Sequence, residues 1–513
     1  MLKCHALTLL VASLLAGTIL SDPVERRLNS ARMTQASQYP KIRVLFDFTY
    51  LQGYSQNVQT YVSKTIFGTV KKRLEKLISM RVSKPILAFN TTICESISVP
   101  NVYRTSSTDA DLIVFVVLYE TTEPVTASAR PCAFDKETQR ANVGLININY
   151  SNLRWGRDQI DPVILTVLHE LLHILVISPT LYGRYPNYPN SSAITTENYS
   201  VGNSTQKQRR VISTPGLLSF TRDYFNCPSM KGLPLEDEGT TGSAGSHWEK
   251  IILGNELMTS QKVSTPSLSM FTLYLMNDSG WYTVDFSQAD DITWGKYMGC
   301  DFVYNPCSTK YKEFCTTEGK TGCSTDYGAK TICYKSQFSN DCLYNEYARN
   351  YACSNSYDFI YSSRFEVPGP ESRCFEVKIN NVQNSNCFKA VCKNSGVEIV
   401  IEGNTFTCEF TGQIIKYREL EVTCPNIQDF CNKTVNRKCP NDCNGKGVCT
   451  VVGECRCDYF YTGPSCEIEQ DCHEGDESIC SILKQIWTGT VGNRGEMLIA
   501  SVALLLIGSV LIA

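Results

Sequence analysis

Histidine is scarce in this sequence, with five in 513 residues. Charge of either sign is also in small surplus. The net charge of -3 gives no electrostatic reason to expect nucleic acid or an acidic membrane surface as partner. Apolar content of 42% and charged content of 19% are those of an ordinary globular protein, and the length suits about three domains. Cysteine is abundant by contrast, at 25 residues. Setting Cys4 aside leaves an even number. Disulfides formed in an oxidising compartment explain so many more simply than a set of cytosolic metal clusters would.

The two ends carry targeting patterns. Lys3 followed by the apolar stretch 6–20, with small residues near Ser21, reads as a secretory signal peptide over 1–21. Residues 22–40 are polar, a short flexible or pro-segment in which Arg26-Arg27 is a candidate processing site. Residues 497–513 are apolar or small and follow a polar linker, 467–496. They are expected to hold the protein on the extracellular face of the membrane. The anchor is either a lipid attached near Thr488, Gly489 or Thr490, or a retained transmembrane helix.

Between the ends, Ile42 to Phe48 alternates apolar and polar residues and predicts a strand. Val58, Val62, Ile66, Val70, Leu74, Leu77 and Ile78 recur at helical spacing, as core packing requires. Asp111 to Tyr119 and Ala141 to Tyr150 read as buried strands. Asp161 is placed to cap the next helix, with Pro162 in its first turn. The pattern predicts a sheet with that helix packed beneath it. A long stretch, 177–246, follows. It is rich in Asn, Ser, Thr, Tyr and Pro and is expected to be largely surface loop. It carries glycosylation sequons at Asn190, Asn198 and Asn203; others lie at Asn90, Asn149, Asn277 and Asn432. After Cys300 cysteines come every few residues. The twelve from Cys307 to Cys431 are enough for six bridges of unreadable pairing.

The helix predicted after Asp161 contains His169-Glu170-Leu171-Leu172-His173. Histidines at i and i+4 share one helix face and can reach one metal ion at about 2.0–2.1 Å each. Glu170 is placed to take a proton from a water activated by that metal. A pair of satisfied core histidines is the bland alternative. It would leave Glu170 and two imidazoles buried in an apolar run without partners, which is costly. His5 falls in the signal peptide and His473 beyond the last cysteine-rich module, so His247 is the remaining histidine for a third ligand. It sits in the small-residue run 240–249, and Met258 follows in Asn255-Glu256-Leu257-Met258.

The order HELLH, long insertion, GSHWE and ELM resembles the leishmanolysin family of surface metallopeptidases, a metzincin branch. Segments 214–228, 235–238, 275–282 and 294–302 are similar to that family too. The resemblance runs from about Ile42 to about Phe375 and implies an α+β fold with a metzincin-type zinc peptidase domain, set at 41–300 (insertion 177–246), while the change in texture after Cys300 marks a cysteine-rich domain over 301–432. The resemblance also implies one Zn2+ held by His169, His173 and His247, Glu170 as catalytic acid/base, Met258 as the Met-turn residue, and protein or peptide substrates. Val176 stands where the family usually has a glycine at a sharp turn. A β-branched residue suits positive φ poorly, so either the helix runs on or the turn takes another form. No cysteine lies between Cys4 and Cys94 to block the metal in a precursor. Residues 439–466 resemble an EGF-like module, which implies the pairs Cys439–Cys449, Cys443–Cys455 and Cys457–Cys466. Such modules are mostly spacers or adhesive units, and no calcium-binding consensus is evident in this one. A catalytically inactive adhesion protein on the same fold is the competing reading.

Overall fold

In the computed structural model, residues 39–470 are described apart from 123–124, 153–159, 189–192, 201–205, 241, 262–265, 347–348, 355–358, 370, 436–438 and 451–453. The signal peptide, the C-terminal tail, His5, His473, Asn190 and Asn203 lie outside the described residues.

Val44–Asp47 (β1), Leu112–Tyr119 (β2), Ala127–Phe134 (β3) and Ala141–Asn149 (β4) form one sheet in the order β1-β2-β4-β3. The first three in that order are parallel, and β3 closes the edge antiparallel to β4. β2 and β4 are nearly all apolar because both of their faces are covered. One cover is a rod made of Gln56–Thr60, a π-helical turn Tyr61–Ile66, and Phe67–Leu77. Its apolar residues 58, 62, 66, 70 and 74 are spaced by four, which drifts around a helix of 3.6 residues per turn. The wider π turn takes up that drift and keeps all five facing the core.

The helix Ile160–Leu175 (α1) lies beside that rod on the same face, over Leu112, Val114, Val116 and Ile146, while the opposite face, with Ile113, Phe115, Val143 and Leu145, is covered by Ile86, Ile97, Val99 and Tyr103. Ile164, Val167, Leu168, Leu171, Leu172, Ile174 and Leu175 are buried. Pro162, Thr166, His169 and His173 form the half-exposed stripe. Gly144 on β4 lets α1 approach closely, since a Cβ there would lie 2.6 Å from Ile174 Cδ1. The helix starts at Ile160, so Asp161 sits inside the first turn rather than capping it. Its carboxylate pairs with Arg73 and accepts from the Tyr459 backbone N–H.

The insertion is more ordered than its composition implies. Ile194–Tyr199 (β5) and Lys207–Ile212 (β6) form a hairpin, and Pro215–Phe225 (α2) packs on the helix Met270–Asp278 (α3). Glu197 and Arg209 face each other across the hairpin as a buried ion pair at 2.8 Å. These charged residues resemble surface in the sequence and are core in the fold. Asn198 is exposed on β5. Asn149 is buried, with its amide bonded to the carbonyls of Thr121 and Val125, so it is no acceptor for a glycan.

The main core continues past Cys300 through Phe302, Val303, Tyr311, Phe314 and Tyr344. A second core lies in an antiparallel sheet of six strands between residues 372 and 423. Cys307 to Cys431 pair as 307–342, 315–333, 323–374, 353–387, 392–431 and 408–424. Two more bridges, Cys94–Cys132 and Cys227–Cys300, staple the N-terminal region. The last module pairs Cys439–Cys449, Cys443–Cys455 and Cys457–Cys466. It is no detached spacer. Tyr459 and Phe460 are buried in the main core, and Arg456 reaches Asp290 at 2.7 Å.

Candidate metal centre

Three histidines meet above the half-exposed stripe of α1. His169 and His173 come from successive turns of that helix. His247 comes from a turn that ends in an antiparallel bridge between Leu235 and Trp248. The Nε2 atoms lie 3.1 Å (169–173), 3.2 Å (173–247) and 3.2 Å (169–247) apart. Nitrogens bound tetrahedrally to one ion at about 2.0–2.1 Å stand about 3.3–3.4 Å apart, so the three fit a single small cation.

The other ring nitrogens fix the tautomers. His169 Nδ1 donates to the Leu257 carbonyl at 2.7 Å, and His173 Nδ1 donates to the Ile177 carbonyl at 2.8 Å. His247 Nδ1 donates to the Ser243 carbonyl at 3.1 Å and has Ser246 Oγ at 3.0 Å. A carbonyl only accepts, so each Nδ1 carries the proton and each Nε2 offers a lone pair. Burial lowers the pKa of His169. Burial, then the charges of His247 and His169, hold His173 well below the usual imidazole range. Burial and the His169 charge push His247 down to about 3. All three are therefore neutral near pH 7, the form a metal requires.

Glu170 is 6% exposed, and its carboxylate accepts no hydrogen bond from another described side chain or backbone N–H. Burial alone pushes it up to about 8. No hydrogen bond among the described residues ties the carboxylate to the surrounding fold.

The turn after α1 shows how Val176 replaces glycine. The Val176 and Ile177 N–H groups both bond the Leu172 carbonyl, at 2.8 and 2.9 Å. Val176 is fully buried, has no positive φ, and its carbonyl accepts from Tyr185 Oη at 2.6 Å. The chain thus turns through an i→i−5 bond. That turn points the Ile177 carbonyl at His173.

Met258 is fully buried, and its carbonyl accepts from Trp248 N at 2.9 Å, directly beside His247. The turn is held by Glu256, which the sequence pattern left unremarked. Its carboxylate accepts from the Met258 N–H, from Ser269 Oγ at 2.8 Å and from Thr272 Oγ1 at 2.6 Å. Burial pushes Glu256 up to about 7, against those donors. A carboxylate in a short apolar Met-containing turn was the available signal for it. The carbonyls of Leu257, Ile177 and Ser243 have no signal in sequence.

The family Peptidase_M8, described as Leishmanolysin, matches residues 56–347, and a Teneurin-like EGF domain matches 439–469. The chain is 25% identical to the Leishmanolysin-like peptidase of Drosophila pseudoobscura pseudoobscura over 60% of either chain. It is 30% identical to the Ciliated left-right organizer metallopeptidase of Mus musculus, over 52% of this chain and 40% of that one. It is 29% identical to Leishmanolysin of Leishmania major, over 42% and 34%. The chain thus spans 60% or less of the length of these curated relatives.

Proposed function

The chain belongs to the leishmanolysin family, and we propose that it is a zinc-dependent metalloendopeptidase hydrolysing peptide bonds of extracellular proteins. The convergence of three neutral imidazoles, each with its Nε2 lone pair free, carries this reading. Eleven disulfides in the described residues support a secretory or extracellular setting.

His169, His173 and His247 would hold the ion, and Met258 would floor the site. A bound Zn2+ polarises a carbonyl and makes water acidic enough to attack near neutral pH. Glu170 takes the proton from the attacking water and returns it to the leaving amine. Leu257, Ile177 and Ser243 keep the imidazoles oriented through their carbonyls, and Glu256 fixes the turn that carries Leu257. The Val176 turn leaves His173 Nε2 beside the other two, so that residue does not favour an inactive adhesion protein.

Purified protein is expected to cleave gelatin, to stop on treatment with a zinc chelator, and to recover on addition of Zn2+. Cleavage that persists in metal-free protein would refute the reading. His247→Ala is expected to lower zinc content measured by atomic spectroscopy. Full occupancy in that variant would remove His247 as third ligand.

A further inference from the structure

A second set of side chains in the described residues has ligand geometry. One carboxylate oxygen from each of Glu236, Asp237 and Glu249 lies within 4.8 Å of the others. Glu236 and Glu249 are 2% and 0% exposed. The two buried cations nearby make their ion pairs with other carboxylates. Arg209 pairs with Glu197 at 2.8 Å, and Lys250 with Glu346 at 3.2 Å.

Part of the set is satisfied by neutral donors. Glu236 accepts from Ser260 Oγ at 2.8 Å and from the Glu238 N–H at 3.1 Å. Asp237 Oδ2 accepts from Tyr199 Oη at 2.6 Å. Glu249 Oε1 has only a long contact with Asn340 Nδ2, 3.4 Å. Two oxygens have no hydrogen-bond partner among the described residues and are shielded from solvent: Glu249 Oε2 and Asp237 Oδ1. A buried acceptor without a partner is costly, and more so beside two other carboxylates. The fold keeps the Glu249 carboxylate in that position, in a cluster that Arg209 and Lys250 reach only through space and not by an ion pair.

We propose that Glu236, Asp237 and Glu249 bind a calcium ion. The donors are all oxygen, which selects a hard cation. Their separations, at most 4.8 Å, lie within the span of a Ca2+ shell, and Mg2+ usually keeps several waters in a near-ideal octahedron, which side chains as buried as Glu236 and Glu249 disfavour. The site shares no ligand with the histidine centre and stands whether or not that centre holds zinc. It is coupled to it through backbone. The Glu236 N–H donates to the His247 carbonyl at 2.9 Å, and the Glu249 N–H to the Pro234 carbonyl at 3.1 Å. An ion bridging Glu236, Asp237 and Glu249 cross-links these two segments and braces the one that carries His247.

The test uses the full chain, loaded with zinc and stripped with a calcium-selective chelator. Adding Ca2+ is expected to restore one ion per chain with a Kd at or below about 1 mM. It should also raise Tm by at least about 2 °C. Tb3+ in place of Ca2+ should show emission sensitised by Tyr199 and Trp248. Glu249→Gln is expected to abolish the binding and the Tm response. Asp237→Asn, at a partly exposed position, is the second variant should the first not fold, and is expected to bind at least about tenfold more weakly. Wild-type protein that binds no Ca2+, its carboxyls sharing protons instead, overturns the proposal. So does Ca2+ binding of undiminished affinity in either variant.

Discussion

Glu170→Gln is expected to keep its metal and lose peptide hydrolysis, with kcat down by about 10²–10⁴-fold or more. The amide matches the carboxylate in shape and has no basic oxygen. The three imidazoles are oriented by the carbonyls of Leu257, Ile177 and Ser243, none of which involves Glu170. Metal content should therefore equal that of the wild type. Burial pushes the Glu170 carboxyl up to about 8; a dication nearby opposes that shift and draws it back toward neutrality. A group poised there can both take and return a proton. Zinc content with single-turnover cleavage of a fluorogenic peptide separates the outcomes. Undiminished cleavage by Glu170→Gln and Glu170→Ala refutes the acid/base role. A loss of zinc together with activity would instead make Glu170 part of the metal's support.

The helix that carries this site was legible because its pattern is redundant. Eight buried apolar residues mark one face, and two histidines at i, i+4 mark the half-exposed stripe opposite it. The strands over 112–119 and 141–149 were legible because continuous apolar runs of that length need cover on both faces. His247 was found through the scarcity of histidine, and the fold brings it to the helix across a separation of 78 residues. The hairpin 194–212 was not legible. Its core pair is Glu197 with Arg209, and either residue alone predicts solvent. The backbone carbonyls that orient the rings follow only from the tertiary path. The placement of the last module was hidden for a similar reason. Tyr459 and Phe460 belong to its own short fold in sequence, and only the assembled structure shows them entering the larger core.

Arg456→Ala is expected to destabilise the folded protein by about 3–5 kcal/mol, because it strands a buried charge. Asp290 has 0% side-chain exposure, and its Oδ2 takes Arg456 at 2.7 Å and the Leu268 N–H at 2.8 Å. Arg456 also donates to the Gln288 carbonyl at 3.3 Å. The Asp291 N–H bonds the Cys449 carbonyl, and the Tyr459 N–H bonds Asp161 in the first turn of α1. The module thus sits against the base of the helix that carries His169 and His173 and contributes to its stability. At about 2 °C per kcal/mol the loss is roughly 6–10 °C in Tm. Its pH dependence identifies the cause. Burial already raises the Asp290 pKa above 3.8, and Arg456 opposes that rise. Without Arg456 the folded-state pKa climbs further, so folded protein keeps a proton that unfolded protein releases. Stability then falls as pH rises from 3.8 through the folded-state value. The deficit of Arg456→Ala should therefore be largest at neutral pH and smallest near pH 4. Adding Asp290→Asn removes the charge while keeping an acceptor for Leu268, and is expected to recover most of the loss. A pH-independent deficit, or no recovery in the double variant, would mean that Arg456 acts through packing of its stem alone.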